Sequence, residues 1–166
     1  MIDLKPEYFI DTIYDIDFNI LRRDGINTLL LDIDNTLVPF KTMIPENSVI
    51  EWINIVKNQG FKICLVSNAY PRRAQIIAGK LDLPVIYMAK KPFKKGVIDS
   101  LHLVNSKNEE AIMVGDQIFT DVLAARLAGV RSILVEPMTT SDFFMTKIYR
   151  VFEYFVKRNL KKEKMK

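Results

Sequence analysis

The 166-residue sequence predicts an α/β domain built as a three-layer, doubly wound parallel sheet of Rossmann type. Three observations carry that expectation. Short apolar runs of strand length alternate with segments of helical apolar spacing from residue 28 to residue 135. Several runs, such as Leu29-Leu30-Leu31 and Ile63-Cys64-Leu65-Val66, are apolar throughout and fit strands covered on both faces. The runs also close on polar or acidic residues, and the carboxyl ends of strands are where open α/β sheets place their ligands.

Residues 4–24 hold Leu4, Tyr8, Phe9, Ile13, Ile16, Phe18 and Leu21 at an irregular helical spacing broken by aspartates, which predicts one or two helices over a sheet edge. Residues 29–31 form the first strand, running into Asp32-Ile33-Asp34-Asn35-Thr36. Pro39 and Pro45 then bracket a loop, and Val49, Trp52, Ile53 and Val56 mark one face of a helix ended by Gly60. Residues 61–66 give the second strand, closing on Ser67-Asn68-Ala69, and Pro71 suits the first turn of a helix through Lys80. A third strand at 85–88 precedes the basic segment Lys90-Lys91-Pro92-Phe93-Lys94-Lys95. Residues 96–104 read as helix, 111–114 as a fourth strand ending in Gly115-Asp116, 120–128 as a helix stopped by Gly129, and 132–135 as a fifth strand. Right-handed crossovers between parallel strands bring all these carboxyl ends to one rim.

Residues 141–160 place Phe144, Ile148, Val151 and Phe155 on one stripe, with Lys147, Arg150, Lys157 and Arg158 off it. This predicts a basic amphipathic helix that either packs on its own sheet or docks on a membrane surface or a partner. Residues 1–160 thus read as a single domain and 161–166 as a basic tail.

Composition narrows the classes further. With 49% hydrophobic and 27% charged residues the chain has the balance of an ordinary folded domain, and disorder is excluded as its overall state. The first residues lack the basic-then-apolar layout of a signal peptide, and no apolar run approaches membrane-spanning length. The expectation is a cytoplasmic protein, or one peripheral at the inner membrane surface. Cys64 is the single cysteine, which rules out an internal disulfide and a thiolate metal cluster; its apolar surroundings predict a buried small hydrophobe. The net charge of +4 comes from residues 157–166, which balance at +5, so the rest of the chain sums to −1. A basic nucleic-acid-binding face on the domain is therefore not indicated, and the tail is either a solvated terminus or attracted to anionic lipid or RNA.

Four strand ends deliver polar groups to the common rim: Asp32 with Asp34, Ser67 with Asn68, Lys90 or Lys91, and Asp116 with Asp121. Two aspartates one residue apart repel unless a cation, a proton or hydrogen-bond donors offset the charge, and a divalent metal is the simplest remedy. Each group also has a plainer reading. Asp-Asn-Thr is ordinary turn chemistry, Ser67-Asn68 could cap a helix, the lysines could be solvated, and Asp121 could be a helix-start acid. Their shared order and position favour the joint reading, an inventory suited to phosphate and a magnesium ion. His102, the sole histidine, falls in a predicted helix away from the rim, so a histidine-based mechanism is not expected.

Through Asp32-Ile33-Asp34-Asn35-Thr36-Leu37, Ser67-Asn68, Lys91-Pro92 and Gly115-Asp116-Gln117-Ile118-Phe119-Thr120-Asp121, the sequence resembles the haloacid-dehalogenase-like (HAD) phosphatases. The Gly-Asp-Gln-x-x-Thr-Asp form, with Thr146-Lys147-x-x-Arg150, resembles the subfamily IIIA group called YqeG-like, similar to mitochondrial phosphatidylglycerophosphate phosphatases. The resemblance implies Asp32 as nucleophile and Asp34 as general acid and base. It implies Ser67, Asn68 and Lys91 around the phosphoryl group, with Lys91 also stabilising charge. Mg²⁺ would be held by Asp32, the Asp34 backbone carbonyl and Asp116, with Asp121 one layer out. Lys91 is preferred to Lys90 because Pro92 follows it, although the residues alone leave that choice open.

The intervals from Asp34 to Ser67 and from Asn68 to Lys91 are too short for a folded cap domain, which predicts an open site. An open site suits a phosphomonoester on something large, such as a lipid head group, a protein or a nucleic-acid end, and it also admits small metabolites. The leading expectation is a magnesium-dependent phosphatase acting on phosphatidylglycerophosphate. The alternative is a phosphate- or partner-binding protein, for example in ribosome assembly, with weak or incidental hydrolysis.

Overall fold

The computed structural model describes residues 4–139 and Met165. Six strands form one parallel sheet in the order β1-β6-β5-β2-β3-β4: β1 Tyr8–Ile10, β2 Thr28–Leu31, β3 Lys62–Val66, β4 Val85–Ile86, β5 Ala111–Gly115 and β6 Arg131–Val135. Helices α1 Phe18–Arg23, α2 Asn47–Asn58, α3 Pro71–Leu81, α4 Lys95–Leu103 and α5 Leu123–Leu127 fill the connections. The α/β, doubly wound architecture is the one expected, and among the described residues no large cap interrupts it.

Strand alternation explains how the chain makes three layers. Side chains at alternate positions face opposite sides, so Leu29 and Leu31 join one cluster while Leu30 joins the other. The first cluster packs Ile63, Leu65, Ile112 and Val114 against Val49, Trp52, Ile53 and Val56 of α2 and Ala74, Ile77 and Leu81 of α3. The second packs Cys64, Val66, Ala111 and Met113 against Val97 and Leu101 of α4 and Ala124 and Ala125 of α5. All three leucines of β2 are fully buried, each burial being worth about 1.5–3 kcal/mol. With both faces covered, β2 is apolar from Leu29 to Leu31, and the next polar side chain is Asp32.

Three expectations are corrected. Residues 8–10 are not helical: Tyr8–Ile10 adds an edge strand paired with β6 in the register Tyr8↔Ile133, Phe9↔Leu134 and Ile10↔Val135. Three residues are too few for strand periodicity to show, and the partner lies more than a hundred positions away. Of the remaining segment only Phe18–Arg23 is α-helix, started by the Asp17 carboxylate accepting from Asn19 N at 2.8 Å. The strand expected at 85–88 stops at Ile86, because Met88 turns into the left-handed region at φ 46°. The helix expected at 120–128 opens with a π-helical turn, Ile118–Val122, before α5. The C-terminal amphipathic helix and basic tail expected from 141 onward lie outside the described residues, Met165 excepted.

Candidate active site

The sheet order creates a cleft where it reverses. From β2 the chain winds outward through β3 to β4, then returns to place β5 on the opposite side of β2. Connections therefore leave these two strands in opposite directions, and a crevice opens beyond their carboxyl ends. Asp32 follows β2 and Asp116 follows β5. The Asp32 amide donates to the Val114 carbonyl at 2.9 Å, so the sheet itself fixes the first acid beside the second strand.

One carboxylate oxygen from each of Asp32, Asp116 and Asp121 lies within 4.8 Å of the others, and all three residues are buried. Lys91 closes the group. Its Nζ donates to Asp32 Oδ1 and Asp121 Oδ1, each at 2.6 Å, and the residue is 6% exposed. Lys90 is instead exposed, which decides which of the two lysines reaches the acids. Burial disfavours the Lys91 ammonium, but the charges of Asp121 and Asp32 and their hydrogen bonds outweigh it and hold the group above the ordinary lysine range. For Asp32, burial raises the pKa well above the usual carboxylate range; Lys91 opposes this, while Asp121, Asp116 and Asp34 add to it.

Backbone geometry explains the spacing of these residues. A side chain at Gly115 would overlap the Asp121 carboxyl group, so glycine there lets the π-helical turn fold back onto the strand end. Asp121 Oδ2 accepts from Gln117 N at 3.1 Å, which leaves Oδ1 for Lys91. Asn68 grips the lysine's own peptide groups: Lys91 N donates to Asn68 Oδ1 at 2.8 Å and Asn68 Nδ2 donates to Lys91 O at 3.0 Å. The Asn68 side chain is thus engaged in placing Lys91, a role not anticipated from the sequence. Ser67 is fully buried at the end of β3, and its Oγ accepts from Ala69 N at 3.1 Å while its O–H remains a donor.

Asp34 stands apart from the buried trio. Its carboxylate forms an ion pair with Arg73 Nη1 at 2.7 Å, while Arg73 Nε and Nη2 donate to the Thr42 carbonyl at 3.2 and 2.8 Å. Burial raises the Asp34 pKa, and Arg73 works against that rise. Arg73 was not among the expected site residues. The available signal was its place in the first turn of a rim helix, where the helix dipole disfavours a cation lacking an acidic partner. His102 lies exposed in the last turn of α4, and Cys64 is buried with its thiol pushed up to about 12 by burial, so neither belongs to the site.

Three clustered buried carboxylates, two of them sharing one ammonium and all hard oxygen donors, fit a divalent cation. A family profile described as mitochondrial PGP phosphatase matches residues 3–139. The chain belongs to this PGP phosphatase family. A Bacillus subtilis (strain 168) relative called probable phosphatase YqeG is 33% identical over 158 residues, covering 95% of this chain and 92% of that one. Phosphatidylglycerophosphate phosphatase 1, chloroplastic/mitochondrial, of Arabidopsis thaliana is 27% identical over 171 residues, 95% of this chain; that relative is about twice as long, 48% of it being spanned. Among solved structures, a HAD-superfamily hydrolase of subfamily IA from Geobacter sulfurreducens PCA superposes with a TM-score of 0.54 at 14% identity, over 66% of this chain and 89% of its own. This member of the PGP phosphatase family is accordingly a phosphomonoesterase with a HAD-like fold.

Proposed function

We propose that this chain is a Mg²⁺-dependent phosphatase that works through an aspartyl-phosphate on Asp32, with phosphatidylglycerophosphate as its leading substrate. The observation that carries the reading is the buried Lys91 ammonium held 2.6 Å from Asp32, beside the carboxylates of Asp116 and Asp121. Asp32 attacks phosphorus in line, forming an O–P bond as the bond to the leaving oxygen breaks. Asp34, two residues on and outside the trio, gives its proton to that oxygen and then takes one from the water that cleaves the aspartyl-phosphate. Lys91 offsets charge on Asp32 and on the transferring group, and Ser67 donates its O–H to a phosphoryl oxygen. Asn68 holds the Lys91 peptide in register, so it contributes by placement. Asp32, Asp116 and the Asp34 carbonyl would hold Mg²⁺, with Asp121 orienting its water. When bound, the ion would supply neutralisation of phosphoryl charge.

The lipid substrate is supported by the open rim and by the likeness to phosphatidylglycerophosphate phosphatase 1 of Arabidopsis thaliana. The proposed location is cytoplasmic, with access to lipid from the inner membrane surface. The test is phosphate release by wild type and Asp32→Asn, with Mg²⁺ or EDTA, from lipid, nucleotide and sugar phosphates. Release from the lipid monoester that requires both Asp32 and Mg²⁺ is expected. Absence of release from every class by folded protein would favour the partner-binding alternative.

A further inference from the structure

Large apolar side chains are exposed unevenly over the described residues. Six of eleven, Met43, Ile44, Tyr70, Tyr87, Met88 and Phe93, lie in the loops that follow β2, β3 and β4. These strands are adjacent and parallel, so the three loops leave the sheet at one rim, beside Asp34 and Lys91. They are also tied together. Arg73, at the start of α3, donates to Thr42 O of the first loop, Met88 N of the third donates to Ala69 O of the second at 3.0 Å, and Asn68 grips Lys91. The loops therefore form one continuous surface.

Cations are interleaved with the apolar tips. Lys41, Arg72, Lys90 and Lys94 are exposed on the same loops or the first turn of α3, where Glu46 is the single exposed acid. Lys41, Met88 and Lys90 sit at φ 68°, 46° and 55°, so the backbone accepts left-handed geometry to present them. A surface of aromatic and aliphatic tips among basic groups matches the interface of an anionic bilayer, where rings sit at head-group level and each nearby cation adds attraction. A second copy of the chain would set these cations against each other.

We propose that this rim is a docking surface for an anionic lipid bilayer, seating the active site against the head groups. The inference rests on the lipid-monoester reading of the site and names the surface that would deliver such a substrate. It differs from the amphipathic segment expected at 141–160, which lies outside the described residues.

The test is co-sedimentation of the full chain with phosphatidylcholine vesicles, with and without phosphatidylglycerol, comparing wild type with Ile44→Ser/Phe93→Ser and with Lys41→Glu/Lys94→Glu. Hydrolysis of soluble para-nitrophenyl phosphate is followed in parallel as a check on folding and chemistry. The expected result is wild-type binding that depends on phosphatidylglycerol, weakened about 30-fold or more in the charge variant and clearly in the apolar variant, with soluble hydrolysis unchanged. Equal vesicle binding by all three proteins, or none by wild type, overturns the proposal. So does a self-association by wild type, measured by sedimentation velocity, that the variants lose without any change in vesicle binding. Failure of the substrate reading looks different: vesicle binding would follow the rim while no lipid monoester is hydrolysed.

Discussion

Replacing Lys91 with methionine tests the electrostatics of the site. The change keeps the length of the side chain and removes the one ammonium that Asp32 and Asp121 share at 2.6 Å each. Two carboxylates left facing each other across up to 4.8 Å repel by about 3.5 kcal/mol at an effective dielectric constant of about 20. Loss of one partner from a buried ion pair costs about 3–5 kcal/mol on independent grounds, so both routes give the same range. At about 2–4 °C per kcal/mol for a chain of this size, the melting temperature should fall by roughly 10 °C. The assay is urea and thermal unfolding of wild type and Lys91→Met, each titrated with Mg²⁺. If the acids form a cation site, Mg²⁺ should restore much of the loss, since a ligand at about 100 times its Kd stabilises by about 2.7 kcal/mol. A loss below about 1 kcal/mol, or unfolding of both proteins that ignores Mg²⁺, would refute the reasoning.

Other consequences follow from single contacts. Gly115→Ala should fold but lose at least about tenfold in activity, because its Cβ would displace the Asp121 carboxyl group; retained wild-type kcat would show that Asp121 has room to move. Arg73→Lys keeps a cation near Asp34 but cannot make the paired donation to Thr42, so kcat should fall several-fold while the melting temperature changes little. With its thiol pushed up to about 12, Cys64 should resist iodoacetamide at pH 8 in the native protein and react fully in urea; rapid native labelling would contradict its burial. Leu30→Ala should destabilise by about 2–5 kcal/mol in denaturant titration, since Leu30 is wholly enclosed between β-sheet and α4–α5.

What could be read from the sequence depended on how local its cause was. The strand at Leu29–Leu31 and the acids beyond it were legible because a both-faces-buried strand leaves an unbroken apolar run, and its abrupt end exposes the functional residues. Helices α2 and α3 were equally plain from their apolar faces and from Gly60 and Pro71. Tyr8–Ile10 was not, because its strand state comes from β6, which offers an edge rather than a pattern within residues 8–10. The same distinction runs through the site. Asp32, Ser67 and Asp116 directly follow β2, β3 and β5, while Asp34 and Lys91 lie in the loops beyond β2 and β4 and Asp121 in the turn after β5. The pairing of Asn68 with the Lys91 peptide and of Arg73 with Asp34 depends on how neighbouring loops meet, and no spacing encodes that. The preference for Lys91 over Lys90 rested on Pro92; in the fold, the deciding difference is that one side chain is buried on the acids and the other faces solvent.

The decisive measurement is an acid quench of the full chain turning over a substrate labelled in its phosphate, followed by peptide mapping. Wild type should carry a hydroxylamine-labile label on the peptide containing Asp32, formed only with Mg²⁺ present, and Asp32→Asn should carry none. Label on Ser67 or another residue, or turnover with undiminished rate in Asp32→Asn, would contradict an aspartyl-phosphate at Asp32.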